Sequence, residues 1–309
     1  MTQKTNSLSG KDLIAALVVV LVWGVNFVAM KFALRDFTPF QLGAARYAFA
    51  ALPLVLFMRP PKVPRQWVVR YGLLQGVGQF GILFIALQVG MTAALASVLV
   101  QTQVFFTALF GFVLLHERPS RPLQLGLLLA ALGLSCFALN YVNPAAGAGH
   151  GTTLLGFVLT LCSATMWALS SIVARRVQRI SQDYDPFAFV VWSSTVAVLP
   201  FVALSWFFDA EAARAHWLQA RASSWLAVAY LGWIATVVGY GLWTSLLKRH
   251  PANRVSPFGL GVPIIGLATG VLILGEVITR WQWAGIALLI AALACVMFGG
   301  RLFKSPGTQ

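Results

Sequence analysis

Apolar residues run along this chain in ten blocks of about twenty, parted by short gaps that hold most of the charge. A hydrocarbon core of about 30 Å needs roughly 20 apolar residues per helix, so each block predicts a membrane span. The predicted spans are 13–34, 39–58, 67–89, 93–115, 122–142, 153–176, 187–208, 224–247, 254–275 and 281–300. The gaps leave no room for a soluble domain. The pattern predicts an all-α integral membrane protein of ten transmembrane helices.

Composition agrees. Hydrophobic residues make up 59% of the 309 positions and charged ones only 10%, against about 25% in a soluble domain. Mean hydropathy is +0.81. The net charge of +14 raises nucleic acid as a partner, but Lys and Arg would then gather in one patch. Here they sit in the gaps, so the charge reports topology and the expected partners are the bilayer and a small-molecule substrate, not nucleic acid. With the N-terminus cytoplasmic, sixteen Lys and Arg fall inside and five outside, with Arg46 left within a span. That bias puts both termini in the cytoplasm. The first eleven residues are polar, and the apolar run after Asp12 is long enough to remain as an anchor; no cleaved signal is expected. Cys136, Cys162 and Cys295 lie in apolar segments without metal-ligand spacing, which predicts small buried thiols, no disulfide and no metal site.

The two halves resemble each other. "TPFQLGAARYAFAALP" and "DPFAFVVWSSTVAVLP" each hold two prolines fourteen apart, Pro39 and Pro53 against Pro186 and Pro200. "FGFVLLHERPSRPLQLGLLLAALGL" aligns with "ATGVLILGEVITRWQWAGIALLIAALA", setting Glu117 opposite Glu276 and Gly126 opposite Gly285. Trp23 has its counterpart in Trp167. Five spans per half is an odd number, so the halves insert with opposite orientation: two inverted repeats, 1–142 and 143–309, with a site between them near the midplane.

Polar groups within a bilayer are costly and face the bundle interior or a water-filled cavity. Trp23, Asn26 and Met30 share one helix face. Gln75 and Gln79 are four apart. Thr160, Ser163, Trp167 and Ser170 form a stripe, as do Trp233, Thr236, Tyr240 and Trp243. Gln101 and Gln103 are two apart and predict opposite faces, so at most one of them reaches a shared cavity. Any one such residue also fits a structural role, because Ser and Thr bond their own helix, amides join helices and Trp anchors at interfaces. The candidate substrate-binding set is Trp23, Asn26, Arg46, Gln79, Gln101, Trp167 and Tyr240; no residue is assigned catalysis and no cofactor is expected.

Lys31, near the outer end of its helix, is expected to snorkel. Arg46 lies about two turns into a span, with three partners open to it: Asp36, helix carbonyls, or an anionic group of a substrate. No acidic residue lies deep in any span, which argues against a lipophilic-cation exporter and favours a neutral or zwitterionic solute with a carboxylate. Glycines are dense in "GLLQGVGQFG" and "GLGVPIIGLATG", as close helix packing requires. Pro263 is expected to kink the ninth helix, with Gly259 and Gly261 completing a hinge.

"WGVNFVAMK", "ARYAFAALP", "VLVQTQVFFTALFG", the "ER" of "HERPSRPLQLG" and the long stretch "VVGYGLWTSLLKRHPANRVSPFGLGVPIIGLATGVLILGE" resemble the drug/metabolite transporter superfamily and, within it, the EamA family. The resemblance covers nearly the whole chain. It implies ten helices in two inverted five-helix repeats, the cytoplasmic (inner) membrane, and efflux of small metabolites such as O-acetylserine and cysteine. It carries over no catalytic residue. The family's "GE" at the end of the fourth helix stands here as His116-Glu117, which leaves the packing of that turn open. Glu117 and Glu276 are expected to act as matching helix-end caps.

Two transport readings follow, an exporter of small amino-acid metabolites and an exporter of aromatic amino acids or drug-like compounds, since Trp and Tyr stripes stack on rings. A membrane enzyme would need catalytic His or acidic groups; the four His (116, 150, 216 and 250) lie in or beside different loops, without metalloprotease or acyltransferase spacing.

Overall fold

The computed structural model describes residues 9–115, 120–142, 152–181, 183–250 and 252–302. Glu117 and His116 lie outside them. Among the described residues every regular element is helical. The long helices are α1 Gly10–Ala33, α2 Pro39–Val55, α3 Arg65–Gln88, α4 Ala93–Val113, α5 Arg121–Tyr141, α6 Leu154–Ile180, α7 Pro186–Phe208, α8 Ala222–Arg249, α9 Ser256–Leu274 and α10 Arg280–Gly299. Nine are long and apolar enough to cross a membrane; α2, at 17 residues, is shorter than its predicted block because it stops at Val55.

Local chemistry sets the helix starts. Ser9 caps α1 by accepting the Asp12 N–H. Thr38 and Gln41 form a reciprocal capping box on α2, with Pro39 at the first helical position. Asp185 caps α7 by accepting the Phe187 N–H, with Pro186 at the first helical position. Pro53 and Pro200 both lie inside their helices.

Four of these helices change winding. In α3 the segment Gly72–Gly81 is π-helix, and in α8 so is Tyr230–Val238. In α4 Val100–Thr102 is a 3-10 turn, and α9 opens with the 3-10 segment Ser256–Leu260. Nothing in the hydrophobic pattern signals these changes, and π segments are often found at functional sites.

The helices alternate in direction. At one end Asp36 meets Arg221, Thr38 meets Asp209, Thr153 meets the Val89 carbonyl and Glu276 meets the start of α4. At the other, Asp12 meets Arg249 and His250, and Trp192 meets the Met58 carbonyl. The main pairings are α5 with α10, α2 with α7, α4 with α9, α1 with α8 and α9, and α6 with α3 and α4. Exchanging α1–α5 for α6–α10 leaves that set of pairings unchanged.

Small residues allow the closest approaches, as the glycine pattern predicts. A methyl at Gly266 would lie 2.3 Å from the Ser97 Cβ, and one at Gly24 would lie 2.5 Å from Ile265. Gly72 and Gly76 face the Ser193 carbonyl and Ala197 just as tightly. Gly259 is different, with open space around it.

Three expectations need correction here. Pro263 does not sit in the middle of the α-helical run: that winding begins at Gly261, after a 3-10 segment, and the proline falls in its first turn, where a missing N–H costs little. Lys31 does not snorkel freely: its Nζ donates to the Leu87 carbonyl at 2.7 Å, closing the last turn of α3. None of the three free thiols is fully buried: Cys162 is exposed, and Cys136 and Cys295 are half-buried.

Candidate functional site

A cavity of about 600 Å³ lies between the two halves of the bundle. Its walls come from α1, α2, α3, α4, α6, α8, α9 and α10. It runs from mid-bundle, at Trp23 and Arg46, to the end where α9 begins, at Ser256 and Pro257. The opposite end is closed by Met30, Ala33, Met91 and Ala93, all fully buried.

All seven residues singled out from sequence line this one cavity: Trp23, Asn26, Arg46, Gln79, Gln101, Trp167 and Tyr240. Trp23 packs against Tyr240 and Trp243 with ring centres 5.1 and 5.4 Å apart, making an aromatic wall across α1 and α8. Its indole N–H donates to the Ala235 carbonyl at 3.0 Å, inside the π segment of α8. Ser163 of α6 does the same to the π segment of α3, bonding the Gln79 carbonyl at 2.8 Å.

Gln79 is joined to Gln75, which also contacts Ser170 and the Tyr240 hydroxyl, so an amide–hydroxyl chain links α3, α6 and α8. A smaller void of about 20 Å³, the size of one water, adjoins this chain and shares Phe80 and Tyr240 with the main cavity. The buried Ser193 hydroxyl, which has no partner among the described residues, also lines it.

Arg46 is 2% exposed, deep in α2. Its guanidinium sits over the Phe80 ring, 3.8 Å from the centroid, and Nη2 makes one long bond of 3.4 Å to the Thr236 hydroxyl. Nε and Nη1 have no partner among the described residues, and neither has the buried Asn26 Oδ1. Asp36, one of the partners open to Arg46 from sequence, is taken instead by Arg221 at 2.8 Å and by Ser224 at 2.7 Å. Of the two other partners, helix carbonyls contribute nothing: the one protein hydrogen bond goes to a hydroxyl.

Two face assignments fail for one reason. Gln101 and Gln103 both line the cavity, because the 3-10 turn at Val100–Thr102 breaks the 100° step that set them on opposite faces. Trp233 leaves the Thr236–Tyr240–Trp243 stripe and is 47% exposed, because the π segment adds a residue per turn before the stripe continues. Sequence reasoning did not find Phe80, Leu293 or Met297. Each is one apolar letter in an apolar run, with no signal to mark it.

The other predicted cap has a clear role. Glu276 accepts the Ala93 and Ala94 N–H groups at 2.7 Å each and so caps α4 from the end of α9.

A bundle of apolar helices around a largely apolar cavity that carries a few polar side chains and reaches one end is the architecture of a multi-pass membrane transporter. The profile of the EamA-like transporter family matches residues 11–139 and again 154–298, and the chain belongs to that family. The chain is 36% identical over 299 residues to the "Probable amino-acid metabolite efflux pump" of Salmonella typhimurium (strain LT2), covering 96% of this chain and 98% of that one. The pump of the same name from Escherichia coli (strain K12) is equally similar, with the same coverage. The "Uncharacterized inner membrane transporter YedA" of Escherichia coli (strain K12) is 20% identical over 298 residues, 94% of this chain and 92% of that one. A crystal structure of a protein 19% identical shares the fold, with a TM-score of 0.64 over 97% of this chain and 100% of the other. The protein is a multi-pass transporter of the inner membrane.

Proposed function

We propose that this protein exports small amino-acid metabolites, O-acetylserine and cysteine foremost, by alternating access around the 600 Å³ cavity. In this reading ten transmembrane helices form two inverted repeats, 1–142 and 143–309, with both termini cytoplasmic. The family profile matching once per half, the exchange-invariant helix pairings and the paired π and 3-10 segments support the repeats. The positive-inside count then makes the open end of the cavity cytoplasmic, the end from which an exporter loads.

One observation carries the substrate assignment. Arg46 and Asn26 both line the cavity, and each keeps buried polar atoms without a partner among the described residues, N–H donors on Arg46 and an acceptor oxygen on Asn26, complementary to the carboxylate and ammonium of an amino acid. Trp23, Trp167 and Tyr240 wall the side chain, while Gln79 and Gln101 supply further polar contacts. The names of the two 36% identical relatives point to the same class.

The test is efflux from proteoliposomes loaded with a panel of labelled amino acids, with and without a pH gradient. Arg46→Ala and Asn26→Ala, inserted normally, are expected to cut efflux of O-acetylserine and cysteine at least about tenfold, the effect of losing one charge-assisted hydrogen bond in a dry site. Wild-type rates in both variants would sink the site assignment. A second reading, export of aromatic amino acids or drug-like compounds, is favoured by the Trp23–Tyr240–Trp243 wall and by a volume that suits larger ligands. Stronger competition by aromatic amino acids than by cysteine would select it.

A further inference from the structure

We infer that the bound carboxylate is the counter-charge which lets this transporter close, so that it exchanges one carboxylate substrate for another much faster than it releases substrate alone. The inference rests on the cavity being the substrate site.

The argument starts from the constancy of the Arg46 charge. A guanidinium keeps its proton in proteins, so this positive charge accompanies every conformation of the bundle. The contacts that hold it, the Phe80 ring and the Thr236 hydroxyl, bring no formal negative charge. The cavity wall includes no Asp, Glu or His among the described residues. The buried and half-buried carboxylates among the described residues are committed elsewhere: Asp12 to Arg249 and His250, Asp36 to Arg221, Asp209 to Thr38 and Ser205, and Glu276 to the first N–H groups of α4. No described protein anion is placed to follow Arg46 as the bundle moves.

While the cavity is open, its water and solution ions lie beside the guanidinium, itself only 2% exposed, and screen the charge from there. Closing the open end, as alternating access demands, removes them and leaves a cation in a low-dielectric interior, a state that is strongly disfavoured unless an anion comes along. A substrate carboxylate seated in the cavity beside Arg46 is that anion. The conformational change is then fast with a carboxylate in place and slow without one. Exchange, in which both crossings carry substrate, avoids the slow step; net export has to return through it. Asn26 plays no part in this distinction, because an amide carries no charge.

The experiment compares two rates from the same proteoliposomes of full-length protein, loaded with labelled cysteine under reducing conditions. One is efflux into substrate-free buffer and the other is efflux into buffer with unlabelled cysteine. Cysteamine, the same molecule without the carboxylate, is the control. External cysteine is expected to speed efflux about tenfold, and cysteamine to leave it unchanged, since a ligand accelerates a transition only by its differential interaction with the two states. Arg46→Lys keeps the charge and is expected to keep the ratio of the two rates. Arg46→Gln, even with weaker binding, is expected to bring that ratio toward one.

Equal wild-type rates with and without external cysteine overturn the inference, as does equal stimulation by cysteamine. An unchanged ratio in Arg46→Gln also overturns it. Any of these, with amino-acid flux present, leaves the proposed function standing. Absence of amino-acid flux in wild-type protein removes that function and this inference together. The wild-type comparison decides the matter even where a variant fails to fold.

Discussion

The guanidinium carbon of Arg46 lies 3.8 Å from the centre of the Phe80 ring, and the two residues belong to different helices. The ring is the main protein surface offered to a charge that has one long hydrogen bond. A cation over an aromatic face gains about 1 kcal/mol or more when desolvated. Phe80→Leu keeps the apolar volume and removes the ring quadrupole. It is expected to raise the KM for a carboxylate substrate by about fivefold, the factor that about 1 kcal/mol gives, with Phe80→Tyr near wild type. Uptake kinetics in proteoliposomes measure this; a wild-type KM in Phe80→Leu would reduce the ring to filler.

Glu276 bridges α9 and α4 through two backbone N–H groups. Losing a cap of this kind costs about 0.5–2 kcal/mol. Glu276→Ala is expected to lower the thermal unfolding midpoint in detergent, and Glu276→Gln to lower it less, because its amide oxygen still accepts. Tryptophan fluorescence during heating reads the difference. An unchanged midpoint in Glu276→Ala would show that the cap contributes nothing.

Gly266 and Gly259 sit seven residues apart on α9 with opposite surroundings. A methyl on Gly266 would lie 2.3 Å from the Ser97 Cβ and 2.5 Å from its hydroxyl oxygen, whereas Gly259 has nothing within 4 Å. Overpacking of that kind costs about 1–3 kcal/mol. Gly266→Ala is therefore expected to be clearly less stable than Gly259→Ala, which should stay within about 0.5 kcal/mol of wild type. The reverse order, measured by the same unfolding assay, would contradict the packing described for α1, α4 and α9.

Hydrogen bonds from Arg221 and then from Ser224 hold the Asp36 carboxyl well below the ordinary carboxylate range. A carboxylate whose folded pKa is depressed stabilises the fold above its unfolded value, about 3.9, and loses that contribution only as pH falls through the lower folded value. The gap in unfolding midpoint between wild type and Asp36→Asn is thus expected to be flat from about pH 5 to 8 and to shrink below about pH 4. A gap that changed between those neutral values would assign control to another titrating group.

The helices were legible in sequence because a bilayer imposes a length on every span, and length survives in a bare list of apolar letters. Nine of the ten predicted blocks begin within two residues of an observed helix start. The convergence of Trp23, Asn26, Arg46 and Tyr240 on one cavity could be anticipated because polar letters are rare in such runs and therefore conspicuous. The winding could not. The π segments of α3 and α8 and the 3-10 turn of α4 depend on contacts between distant helices, such as the Trp23 bond to the Ala235 carbonyl, and no local pattern encodes them. That is why the spacing admits at most one of Gln101 and Gln103 to the cavity, although both line it, and why it places Trp233 in a stripe that the residue leaves. Phe80 was invisible for another reason: its role comes from Arg46, not from its own chemistry.

The exchange symmetry of the helix pairings has an energetic meaning. In the proposed inverted-repeat reading, letting each half take the shape of the other rebuilds the same set of pairings with the opposite end open. The two shapes are then nearly degenerate, and only residues without a match in the other half bias one against the other. Asp12, bound to Arg249 and His250 at one end of the bundle, is such a residue, since the alignment that sets Trp23 opposite Trp167 puts a glycine, Gly156, at its place in the other half. A scaffold of this kind has no built-in arrow: which way solute flows is left to the gradients across the membrane.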